Sequence, residues 1–109
     1  MSEMTPSVYD SRWDGASIPD KHWHFHRRLH ERYGIVLLPG EFAQIVKDLK
    51  QGRALLIEWQ SKKDAVYSVR LATQFERIYV LSDGKQVFTA WPPSKRLNGI
   101  RRALSRHWD

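Results

Sequence analysis

The stretch from residue 54 to residue 91 decides the fold: ALLIEWQ (54–60), AVYSVRLA (65–72), FERIYVL (75–81) and QVFTAW (86–91), each set off from the next by a short connection. From Arg53 onward the hydrophobic period is close to two, and β-branched and aromatic residues dominate, so the four segments read as strands. Connections this short make the strands antiparallel neighbours, because a parallel crossover needs a longer link. Asp83-Gly84 is a strong two-residue hairpin signal. With that pair as the loop, Val80 would face Val87, Tyr79 would face Phe88, Ile78 would face Thr89 and Arg77 would face Ala90.

Upstream of the strands the period lengthens. Phe42, Ile45, Val46 and Leu49 recur at i, i+3, i+4 and i+7, which predicts a helix running from after Pro39 through Gln51 and closed by Gly52. An earlier helix is expected over about residues 19–33, opening at Pro19-Asp20 and stopping at Gly34 as a left-handed cap. Its apolar stripe is Phe25, Leu29 and Tyr33, with His22 and His26 on one shoulder and His24, Arg28 and Arg32 on the other. Downstream, Pro92-Pro93 end the last strand. A final helix starts near Ser94, with Leu97, Ile100, Leu104 and Trp108 on one side and Arg96, Arg102 and Arg106 elsewhere. The fold class is therefore α+β: N-terminal helices packed on a four-stranded antiparallel sheet, followed by a C-terminal basic helix. The lack of strand–helix alternation excludes the βαβ nucleotide folds.

At 109 residues the chain suits one domain, placed at residues 19–109, with residues 1–18 as a flexible acidic N-terminal arm. The absence of cysteine removes disulfide frameworks, thiolate zinc sites and cysteine nucleophiles together. No apolar run is long enough to span a bilayer and the opening MSEMTPSVYD has no secretory hydrophobic region, so a cytoplasmic protein with no membrane partner is expected. The formal net charge of +6 is unevenly spread: residues 1–20 carry −3, the remainder about +9, and the last fifteen residues alone +4. A polyanion is the partner such a balance suggests, with nucleic acid ahead of a membrane surface.

Four histidines, His22, His24, His26 and His30, lie within nine residues. Three of them share i, i+4, i+8 spacing, but no HExxH and no neighbouring cysteine or carboxylate set accompanies them, so neither a metal nor another cofactor is expected. His24 and Arg28, one helical turn apart, are a sharper pair. An imidazole that moves a proton near neutral pH and a fixed guanidinium are two components of metal-free phosphodiester cleavage, for which RNA supplies its own 2′-hydroxyl nucleophile. The same pair also suits a solvated helix face.

The pattern His24-x-x-x-Arg28-x-x-Glu31-Arg32-Tyr33-Gly34-Ile35, the helix ending near Gly52 and the strand Val87-Phe88-Thr89-Ala90-Trp91-Pro92 together resemble the phage- and toxin-associated ribonucleases of the barnase/EndoU/colicin/RelE-like superfamily, over about residues 24–93. The resemblance implies a helical N-terminal part on a four-stranded sheet and a catalytic set of His24, Arg28 and Thr89, with Arg70 as a phosphate ligand. It further implies RNA, single-stranded or transfer RNA, as substrate and a cognate immunity or antitoxin protein as a second partner. His26 and His30 remain alternatives to His24 for the acid/base role, and Thr89 suits a strand on propensity alone.

Trp91, beside Lys95 and Arg96, is the expected stacking platform for an unpaired base, whereas Trp59 and Trp108 are expected in the core. The RNA-binding set is thus Arg70, Trp91, Lys95, Arg96 and Arg102. Three readings follow: a metal-independent endoribonuclease acting by 2′-hydroxyl transesterification, a non-catalytic nucleic-acid-binding or regulatory protein, and a protein–protein inhibitor steered by charge. The acidic arm would compete with RNA for the basic face.

Overall fold

In a computed structural model, residues 18, 22–71, 74 and 76–105 are described. The elements run α1 (Trp23–Tyr33), α2 (Glu41–Lys50), β1 (Leu55–Trp59), β2 (Ala65–Leu71), β3 (Glu76–Ser82), β4 (Val87–Trp91) and α3 (Lys95–Ser105). The strands form one antiparallel meander in the order β1-β2-β3-β4. All four sequence-derived strands are present, as are the three helices. The N-terminal arm, the expected helix start at Pro19-Asp20, and Arg106 and Trp108 lie outside the described residues.

Strand alternation sorts the core into two layers. On one face, Phe25 and Leu29 of α1 and Ile45 and Leu49 of α2 pack with Val69, Leu71, Ile78, Val80 and Ala90. On the other, Leu97 of α3 packs with Ile57, Val66 and Tyr79, flanked by Ile100, Leu104 and Trp91. The sheet therefore lies between α1 and α2 on one side and α3 on the other. Phe25, Leu29 and Leu97 are almost wholly buried, and each such side chain contributes about 1.5–3 kcal/mol through removal from water.

Local chemistry sets the helix ends. Gly34 adopts φ 68° after α1 and its N–H bonds His30 O at 2.9 Å, the left-handed stop expected of this glycine. Ser94 caps α3, its Oγ accepting the Leu97 N–H at 3.1 Å. Glu41, the first residue of α2, turns its buried carboxylate back to accept the Leu38 N–H at 2.6 Å and Gln74 Nε2 at 2.7 Å.

Two expectations need correction. The β3–β4 register is Tyr79↔Trp91, Val80↔Ala90, Leu81↔Thr89 and Ser82↔Val87, with an irregularity between Leu81 and Ser82. The tight Asp83-Gly84 loop is replaced by a wider turn. Asp83 Oδ1 accepts the N–H groups of both Lys85 and Gln86 at 2.9 Å, and Ser82 Oγ accepts that of Gly84 at 2.9 Å. These side-chain bonds stabilise a longer turn than a two-residue one and displace β4 along β3. Backbone donation also holds the Asp83 carboxyl below the usual range. The second correction concerns Trp59, which is 59% exposed rather than core. It ends β1, an edge strand, so sheet neighbours flank it on one side only.

A single phenol joins α1 to the open end of the β3–β4 ladder. Tyr33 Oη donates to Trp91 O at 2.7 Å and accepts the Tyr79 N–H at 3.0 Å, standing between two strands at the Tyr79↔Trp91 rung. Beside it, Arg32 Nη1 donates to Ala90 O at 2.6 Å and covers part of the exposed edge of β4. Burial pushes the Tyr33 phenol up to about 12, so it remains a donor at any physiological pH.

Candidate nucleic-acid interface

The residues singled out from sequence divide between the two sides of the sheet. His24 is exposed on α1, and Arg28, one turn on, donates to Glu31 Oε1 at 2.7 Å. The Arg28 guanidinium thus has a carboxylate of its own helix as partner. Thr89 is half-buried in β4 opposite Leu81, which packs with the α3-side core, so its side chain shares that face rather than the face under α1. No hydrogen bond or ion pair joins any two of His24, Arg28 and Thr89 among the described residues, although α1 and β4 are packed neighbours.

The other histidine candidates separate by burial. His26 is buried at 7% exposure, its ring 5.7 Å from both Phe25 and Phe42 and edge-on to Trp23. Desolvation, reinforced by nearby His22, lowers its pKa to about 4, so it is a neutral core imidazole near pH 7. His22 stacks at 4.3 Å on Phe42. Of the three histidines weighed for acid/base chemistry, His24 is the exposed one, and His30 is partly covered. Among the described residues no group of three His, Asp or Glu side chains is placed to hold a metal ion.

The α3 side collects the remaining expected residues. Arg96 forms a two-pronged bond with Glu58 of β1 at 2.5 and 2.9 Å, fastening the start of α3 to the edge strand. The irregularity in β1 between Leu56 and Glu58 is what brings both Ile57 and Glu58 to this side. The Arg96 guanidinium holds the Glu58 carboxyl below the usual carboxylate range. One turn along, Arg101 Nε donates to Tyr79 Oη at 3.3 Å, and Tyr79 Oη donates to Asn98 Oδ1 at 2.5 Å. Lys95 and Arg102 are exposed, and α3 contains four basic residues and no acidic one. Trp91 is half-buried against the α3-side core beside Tyr79.

Arg70 points to this same side, because its neighbours Val69 and Leu71 belong to the opposite layer. Its cross-strand partner is Arg77. Both arginines are exposed, and among the described residues neither has a carboxylate partner. Sequence reasoning missed Arg77 because only the β2–β3 register makes it face Arg70, and the hairpin register assumed for β4 placed it opposite Ala90. Arg53, two residues before β1, would extend the same row. The chain leaves the sheet there, its N–H bonding Asp48 O at 2.8 Å and its guanidinium the Asp48 carboxylate at 2.9 Å.

Two open grooves of about 430 and 450 Å³ flank these elements. The first runs between α2 and the C-terminal end of β2, with Pro39, Ile45 and Leu71 as apolar wall and Arg70 at its rim. Its carboxylates are engaged internally: Glu41 as described, and Asp48 with Gln44 at 2.8 Å and Arg53. The second lies between α2 and the β3–β4 hairpin, lined by His22, Phe42, Lys85 and Phe88 among others. No protein-family model, curated protein or solved structure matches the chain.

Proposed function

We propose that this protein binds RNA without obligatory cleavage, using the α3 side of the sheet as its contact surface. The observation that carries the reading is that Arg70, Arg77 and Trp91 of the strands share that side with Lys95, Arg96, Arg101 and Arg102 of α3, a helix with no acidic residue. Cations spread over one surface favour the phosphate backbone, and release of its counterions supplies most of the binding free energy. Trp91, half-buried beside the cations, adds aromatic surface suited to an unstacked base of a single strand, whereas Tyr79 is buried beneath α3. Titrating a fluorescent single-stranded oligoribonucleotide over a range of salt concentrations tests it. Affinity should fall with a log–log slope of about −0.7 per phosphate contacted. Salt-independent binding, or none, would refute the reading.

One observation supports the enzymatic alternative. α1, with His24 exposed and Arg28 one turn away, packs against β4, though the Thr89 side chain lies on the other face of that strand. In that reading Arg28 exchanges Glu31 for the phosphate, His24 takes the proton of the attacking 2′-hydroxyl, and the P–O5′ bond breaks with the proton passed to the departing 5′-oxygen, leaving a 2′,3′-cyclic phosphate and a 5′-hydroxyl. Incubation of mixed RNA with the protein in EDTA decides it: cleavage between pH 5 and 8 that His24→Ala abolishes supports the enzyme, and intact RNA removes it.

A further inference from the structure

We infer that the Arg70–Arg77 rung is a discrete phosphoryl-binding site, distinct in kind from the diffuse basic surface of α3; its assignment to RNA rests on the reading proposed above. Directly opposed residues of an antiparallel pair hold their Cβ atoms about 4.5–5.5 Å apart, and like charges at such a rung destabilise the sheet. Arg70 and Arg77 occupy one rung of β2 and β3, on the face that α3 covers farther along. No described carboxylate lies between them: Glu76 pairs with Leu71 on the opposite face, Glu58 is taken by Arg96, and Asp48 by Arg53 and Gln44. Two exposed arginines at one rung are placed so that both guanidinium forks can reach the oxygens of a single tetrahedral anion, a task for which arginine is better suited than lysine.

A buried polar group lies farther along the same face. Ser68 precedes Arg70 by two residues on the same face of β2, is 4% exposed, and keeps a buried Oγ with no hydrogen-bond partner. Opposite it stands Tyr79, whose phenol carries the bonds to Asn98 and Arg101. A buried hydroxyl left without a partner is costly. An oxyanion seated on the arginine pair neutralises the repulsion across the rung. The site therefore stores an unfavourable electrostatic contact that phosphate binding relieves.

This arrangement makes an unusual demand: a substitution that destroys the site should stabilise the free protein. The probes are inorganic phosphate and a single-stranded decaribonucleotide, with chloride at matched ionic strength as reference. Phosphate at about four times its Kd should raise the melting temperature of the full chain by roughly 4 °C. Arg77→Glu, which places a carboxylate opposite Arg70, should raise the melting temperature of the free protein by about 2–5 °C and eliminate the phosphate shift. Displacement of phosphate by the decaribonucleotide supports a backbone-phosphate subsite. Phosphate binding that the RNA does not displace supports the site and overturns its assignment to RNA. Phosphate that stabilises no more than chloride, or an Arg77→Glu protein that keeps the shift, overturns the site even where RNA binding through α3 persists.

Discussion

The two sides of the sheet use their basic residues differently. On the α1 side Arg28 bonds Glu31, Arg32 bonds the Ala90 carbonyl and His26 is buried among aromatic rings, whereas Arg27 of α1 and Lys47 and Lys50 of α2 have no carboxylate partner among the described residues. On the α3 side Arg96 and Arg101 serve structure, but Arg70, Arg77, Lys95 and Arg102 stand exposed, the first two facing each other across a strand pair. A guanidinium already bonded to a carboxylate or carbonyl must exchange a good partner before it can bind phosphate, whereas an unpaired one need only shed water. What sets the α3 side apart is the cross-strand arginine pair and a helix with four basic residues and no acidic one, rather than partnering alone.

The largest test of that contrast is Leu29→Ala. Leu29 is fully buried at the centre of the α1 layer, and its truncation should lower stability by about 3 kcal/mol in urea denaturation. RNA affinity of the folded protein, measured well below the melting temperature, should be unchanged. A weaker affinity would break the division between the sides.

A smaller effect comes from His26. Its folded-state pKa of about 4 lies below the ordinary 6.5, so the unfolded chain binds the proton more readily between those values. The stability from keeping this imidazole neutral is present above pH 6.5 and is lost as pH falls toward 4, by about 2 kcal/mol after allowance for partial solvent access. His26→Gln should flatten that part of the stability–pH curve, and an unchanged curve would assign the acid sensitivity elsewhere. Smaller again is Tyr33→Phe, which strips the Tyr79 N–H and the Trp91 carbonyl of their shared partner. A loss of about 1–2 kcal/mol is expected by thermal denaturation. A change in RNA affinity beyond twofold would show that α1 controls the placement of Trp91 and sharpen the contrast into a coupling.

Periodicity was enough to read the element types, because the shift from a 3.6 to a 2.0 repeat at Arg53 depends only on which residues are apolar. The stop at Gly34 and the start of the last helix near Ser94 were legible from local signals, while the Ser94 cap itself emerged only in the structure. Register was not. The β3–β4 pairing depends on how Asp83 and Ser82 side chains satisfy turn N–H groups, a competition between two turn lengths that the Asp-Gly pair alone does not resolve. That slip hid the significance of Arg77. Nor does a pattern of apolar residues state which face a helix will cover, so Arg70 and Thr89 on one side and His24 and Arg28 on the other read in sequence as one cluster. Trp59 was misplaced because an aromatic at the end of an edge strand carries the same pattern as one in a central strand.

The most direct test of the account compares charge reversal on the two sides in one salt titration of RNA binding. Lys95→Glu with Arg102→Glu should flatten the log Kd against log salt slope by about 0.7 for each phosphate no longer neutralised, while Arg27→Glu on α1 leaves the slope within error of the parent. Equal flattening from both sides, or a greater effect from Arg27→Glu, would contradict the assignment of RNA to the α3 side.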